Sequence, residues 1–180
     1  MIRYWPWVSR SVFVLSLLLV AFVLRRYEFE RLDARAGVGM EGRLRANAFL
    51  ILREVDEQTP LAVGSLVEAR VQVPDSLRPH MKAQEGLILS RIAAVGGQSL
   101  SFAARPNDQL ELLVDGVRTF AFLPRASTGA SLAHGPLTEG PIPKDHFLLL
   151  NPNLDADSWD SRRLGLISRK SLFRKILTYF

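Results

Sequence analysis

Residues 151–165, "NPNLDADSWDSRRLG", gather Asp155, Asp157, Asp160, Ser158, Ser161, Arg162 and Arg163 around Trp159. Carboxylates at alternate positions suit a calcium loop. This one lacks the central glycine and terminal glutamate of an EF-hand, and Arg162 and Arg163 repel a cation. A solvated acidic turn suits the same residues, as does a turn in which Asp160 pairs with Arg162 or caps backbone amides.

Other chemistries find less. His80, His134 and His146 lie far apart, with no metal-ligand spacing. The chain has no cysteine, so disulfides and thiolate zinc sites are out. "AAVGGQS" has two glycines but no phosphate-loop lysine after them. No metal and no cofactor is expected. A serine/lysine dyad needs a lysine held neutral by apolar surroundings. Lys82 lies in a segment expected to be exposed, and Lys144 adjoins Asp145. No serine falls between Ser16 and Ser65.

These residues need a scaffold. At 180 residues and 48% hydrophobic, the chain can bury one domain core. Its 23 basic residues outnumber 18 acidic ones. Much of the excess flanks the N-terminal apolar stretch (Arg3, Arg10, Arg25, Arg26) or lies near the C-terminus (Arg169, Lys170, Arg174, Lys175). Basic residues beside an apolar segment point to anionic lipid, and no nucleic-acid module signature is present.

Residues 4–24 form a helix about 31 Å long, enough to cross the hydrocarbon core. Arg10 snorkels, and Tyr4, Trp5 and Trp7 sit at the interface. "RRYE" after Leu24 offers no signal-peptide cleavage site, so an uncleaved anchor is expected in contact with membrane lipid. "RRYEFERLDARAGVGMEGRLRAN" reads as a helical continuation followed by a glycine-containing turn.

From Phe49 onward the pattern is strands: "AFLILREV", "SLVEARVQV" with its clean alternation, "LILSRIAAV" and "QSLSFAA". "QLELLVDGVRTFAF" predicts a hairpin turning at Asp115-Gly116. "DSLRPHMKAQ" suggests a short helix, and 127–143, rich in Gly, Pro, Ser and Thr, a long loop or flap. "HFLLL" is a buried strand, "RLGLISR" a short one, and "KSLFRKIL" a terminal helix or strand.

"SWDSRRLG" resembles the C-terminal signature of the type I signal peptidase superfamily, roughly S-x-D-S-R-x-x-G, through Ser158, Asp160, Ser161, Arg162 and Gly165. "ILSRIAAVGGQSLSF" is similar to the family's lysine box, "PLAVGSLVEARV" to the strand before it, and "QLELLVDGVRTF" to the hairpin after it. The order of these elements and the N-terminal anchor agree. The segment "LRPHMKAQEGLI" and the "AAV" core look most like the TraF-type conjugal-transfer branch, which matures pilin.

The resemblance implies a mostly β fold, the signal-peptidase-like complex β fold, with one N-terminal transmembrane helix. It implies an anchor over 1–30, a connector over 31–47, and a periplasmic domain over 48–180 with a flexible loop at 127–143. It also implies a catalytic dyad that this sequence does not supply. Ser90 stands where the family has its general-base lysine. Arg43 stands at the nucleophile position in the TraF-type register, and Asp56 or Glu57 in the signal-peptidase register. Gly64 and Gly97 are followed by Ser65 and Gln98, where the family has an acid. The expectation is an inactive inner-membrane relative that binds a peptide, pilin or assembly partner in conjugation or type IV secretion. The alternatives are an active peptidase using Ser65 or Ser90 with Lys82 or Lys144, and a structural subunit of a secretion complex.

Overall fold

The computed structural model describes residues 5–31, 48–72, 86–106, 109–123, 136–151 and 159–180. Helix α1 (Trp5–Arg26) ends where Tyr27 N–H closes the last helical bond onto the Val23 carbonyl. From Arg10 to Arg26 its side chains are exposed, and Val12, Phe13, Leu15, Leu18 and Leu19 spread apolar surface around it. Ser16 folds its hydroxyl back onto the Val12 carbonyl. Among the described residues no helix is long and apolar enough to cross a membrane. The expected N-terminal helix is thus present as a helix, and its spanning of a membrane is not shown.

The chain does not continue as helix. Glu28–Arg31 is strand β1, which pairs antiparallel with β2 (Phe49–Glu54). The alternating "EFER" has period two, and β2 supplies the backbone partners that a free segment would lack. Residues 28–31 thus belong to the same sheet as β2.

Strands β3 (Leu66–Arg70), β4 (Leu87–Val95), β5 (Ser99–Arg105), β6 (Gln109–Val114), β7 (Val117–Phe122), β8 (Gly140–Pro141) and β9 (His146–Leu150) follow. The short helix α2 (Ser161–Leu164) and strands β10 (Ile167–Ser168) and β11 (Leu172–Tyr179) complete the order, with a 3-10 turn between the last two. One sheet runs β1-β2-β11-β3-β4-β9-β10, and a smaller one β7-β6-β5-β8. The C-terminal segment, open to helix or strand by sequence, is a strand inserted between β2 and β3.

The β6–β7 hairpin turns at Asp115 (φ 51) and Gly116 (φ 76), as its dipeptide predicts. The last part of the expected flap is anchored. Gly140 and Pro141 pair with β5, while Leu137 and Ile142 are buried in the core beneath the small sheet. Residues 127–135 and "DSLRPHMKAQ" lie outside the described residues. A second core packs Val67, Ala69, Ile88, Ile92, Phe147, Leu149, Trp159 and Ile167 on one face of the large sheet.

Candidate functional site

Strand β9 has two neighbours. On one side it pairs with β4, Leu150 opposite Arg91. On the other, β10 covers only Phe147 and His146. Beyond Phe147, side chains take over the role of a strand. Ser161 Oγ accepts the Leu149 N–H at 2.9 Å, and Asp160 Oδ2 accepts the Asn151 N–H at 3.0 Å. The motif thus satisfies backbone donors that would otherwise be orphaned at a buried sheet edge.

Asp160 is itself held. It is fully buried, caps α2 by accepting the Arg162 N–H at 3.0 Å, and receives the Arg162 guanidinium at 2.7–3.0 Å. Charge-assisted bonds of this kind make the turn rigid. Gly165 ends α2 at φ 80, and a Cβ there would meet the Pro136 Cβ at 3.3 Å. The Arg163 guanidinium lies over the Trp159 ring at 5.6 Å. Asp160, Ser161, Arg162 and Gly165 therefore form one fastening turn. Ser158, Asp155 and Asp157 lie outside the described residues.

Ser90 lies at the middle of β4, fully buried, with Val67 as its rung partner on β3 and Ile88 and Ile92 on either side along its own face. Its hydroxyl has no hydrogen-bond partner among the described residues. An amine in such surroundings would be driven toward its neutral form. The chain holds a hydroxyl at this buried, apolar position.

The other candidates among the described residues do not gather around it. Asp56 and Glu57 sit in an exposed turn past the end of β2. β11 and β3 lie between β2 and β4, three strand spacings or about 14 Å. The turn faces Arg169 instead, whose Nη2 donates to the carbonyls of Asp56, Glu57 and Thr59 at 2.7–3.1 Å. The Thr59 hydroxyl donates to the Asp56 carboxylate and holds its pKa below the usual range. Ser65 Oγ accepts the Ala62 N–H in a turn. Lys144 is exposed, with its Cα beside Gly96, past the end of β4. That is about 20 Å along the strand from Ser90 and about 13 Å from the level of Ser65. His146 packs its ring against the Lys144 carbonyl. Arg43, Lys82, His80 and His134 lie outside the described residues.

One charged cluster escapes sequence reading. Glu68, on what alternation presents as the polar face of β3, is buried. Arg174 donates to Glu68 at 2.6 Å and reaches Glu28 and Glu30 of β1 at 2.8 and 2.7 Å. Burial is the main cause that pushes the Glu68 carboxyl above its ordinary pKa, and Arg174 opposes it. The pairing depends on β11 lying between β2 and β3, which no local pattern encodes.

A mostly β scaffold whose sheet edge is fastened by an Asp-Ser-Arg turn places the chain in the class of serine-peptidase scaffolds that the motif suggests. The chain belongs to the signal peptidase family, peptidase S26, whose family model matches residues 7–180. No curated protein matches it.

Proposed function

We propose that this protein is a non-cleaving member of the family, nearest the TraF-type branch, which binds a peptide, pilin or assembly partner for conjugation or type IV secretion. The observation that carries the reading is Ser90: at the lysine position stands a buried hydroxyl with no partner among the described residues, between apolar neighbours. Removing a nucleophile or base costs a hydrolase orders of magnitude in rate. Binding an extended peptide by strand addition needs neither. The β9 edge is taken by β10 and the Asp160–Ser161 turn, so such a partner must use another edge.

The same reading makes α1 a membrane anchor, with the domain on the periplasmic side of a bacterial inner membrane. A helix apolar all round calls for burial or lipid. Phe49 and Phe180 exchange backbone hydrogen bonds at 3.1 and 3.2 Å. With Phe29 they expose aromatic surface on β1, β2 and the residue after β11.

Incubating the detergent-solubilised chain with co-expressed pilin or a signal-bearing substrate tests the proposal. No new N-terminus is expected. Cleavage that disappears on Ser65→Ala or Ser90→Ala would replace this reading with an active peptidase. A partner retained by residues 27–180 alone supports a binding role. A partner retained only through α1 makes the protein a structural membrane subunit.

A further inference from the structure

Ser90 is not the only buried polar group without a partner on its rung. Extending the β4–β9 register one step past the Arg91–Leu150 pair sets Asn151, the residue that follows β9, opposite Ser90. Side chains opposite each other on a rung share a face. Ser90 is fully buried and Asn151 is 5% exposed. Among the described residues Ser90 Oγ and Asn151 Oδ1 have no hydrogen-bond partner, and so do not bond each other. The Asn151 N–H is spent on Asp160, which fixes the backbone beneath the carboxamide.

We propose that Ser90 and Asn151 form a polar notch that holds one small hydrogen-bond donor, with Asn151 as the positioning residue. Two observations define the ligand. Both groups offer acceptor oxygens: Oδ1 accepts only, and Oγ both accepts and donates. Opposite Cβ atoms on a rung lie about 4.5–5.5 Å apart, room for one bridging atom between the side-chain tips. Native interiors rarely leave two such groups unmet, and a buried water with two to four polar partners is the usual solution. In this chain the occupant is one ordered water. The walls, Val67, Ile88 and Ile92, are apolar, so the notch admits one polar atom and no ion. The side chain of residue 90 can supply that atom itself. A lysine there brings an amine whose N–H can meet Asn151 Oδ1.

This last step rests on the reading of position 90 as the family's lysine position; the water does not. Two measurements on the full chain in detergent separate them. A high-resolution crystal structure is expected to show one water within hydrogen-bond distance of both Ser90 Oγ and Asn151 Oδ1. A dry pair overturns the notch, whatever the cleavage assay finds. Thermal melting then compares Ser90→Lys with Ser90→Met, alone and with Asn151→Leu. Ser90→Lys is expected to melt about 3 °C or more above Ser90→Met, an order that Asn151→Leu reverses. An Asn151-independent difference, or Ser90→Met as the more stable variant, removes Asn151 from its positioning role. If neither position-90 variant folds, Asn151→Leu in the parent chain still decides: it is expected to expel the water, and a water that persists refutes the assignment. Cleavage activity in the parent would sink the non-cleaving reading and leave the notch standing.

Discussion

The Asp160 carboxylate accepts the backbone N–H of Asn151 at 3.0 Å, and the Arg162 guanidinium donates to the same oxygen at 2.7 Å. One side chain thus joins the end of β9 to the start of α2. With Ser161 on Leu149, it finishes a sheet edge that β10 is too short to cover.

Asp160→Ala removes the buried carboxylate from Arg162 and from the Asn151 N–H together. The expected loss is about 3–5 kcal/mol, the range for breaking one side of a buried pair. Ser161→Ala orphans only the Leu149 N–H and is expected to cost about 1–3 kcal/mol. Urea unfolding of each variant checks both values. A near-neutral Asp160→Ala would mean that the turn does not fasten the edge.

Gly96 lies where a Cβ would come 2.8 Å from the Pro143 carbonyl oxygen and 3.0 Å from the Lys144 Cα, both backbone. Gly96→Ala must push the loop before β9 away, at about 1–3 kcal/mol. Amide exchange is expected to rise at Ile142 and Gly97, whose N–H groups tie that loop to the β4–β5 turn.

Glu68 gives stability a pH dependence of defined sign. Its folded-state pKa is raised, chiefly by burial. Between the ordinary glutamate value and the raised one, the native state holds a proton that the unfolded chain has released. Its contribution therefore falls as pH rises through that window and is constant above it. Subtracting the stability curve of Glu68→Gln from that of the parent is expected to show this fall. Arg174→Met, which removes the opposing cation, is expected to move the window upward. A difference curve that climbs with pH contradicts the assignment.

Asp115 has the opposite sign. The Ser99 N–H and then the Gln98 side chain donate to its carboxylate, holding its pKa below the ordinary value. Its contribution is present above the ordinary aspartate pKa and is lost as pH falls through the lowered one. NMR titration is expected to find Asp115 below the usual range, and Ser99→Pro, which removes the main donor, to bring it back up.

If α1 anchors the protein, the full chain stays with membranes through an alkaline wash, and a chain starting at Tyr27 does not. A full-length protein released by the wash would assign α1 to a protein partner instead.

The sequence by itself determined what is local. The Asp115-Gly116 turn needs only two residues that tolerate positive φ, and it forms as read. The alternation of 66–71 and the apolar "HFLLL" also announce their strands, because the side-chain period belongs to the strand itself. "SWDSRRLG" named the family through residues adjacent in the chain. Only the tertiary structure decided the rest. "EFER" becomes a strand because β2 lies beside it, and β11 is a strand because a gap between β2 and β3 receives it. Glu68 is buried because Arg174 arrives from more than a hundred residues away. The β4–β9 register pairs Arg91 with Leu150 and so sets Asn151 beside the level of Ser90, residues that no spacing in the chain relates. Long-range pairing sets burial and partners, and burial and partners decide whether a serine is solvated, catalytic or left with an unmet hydroxyl.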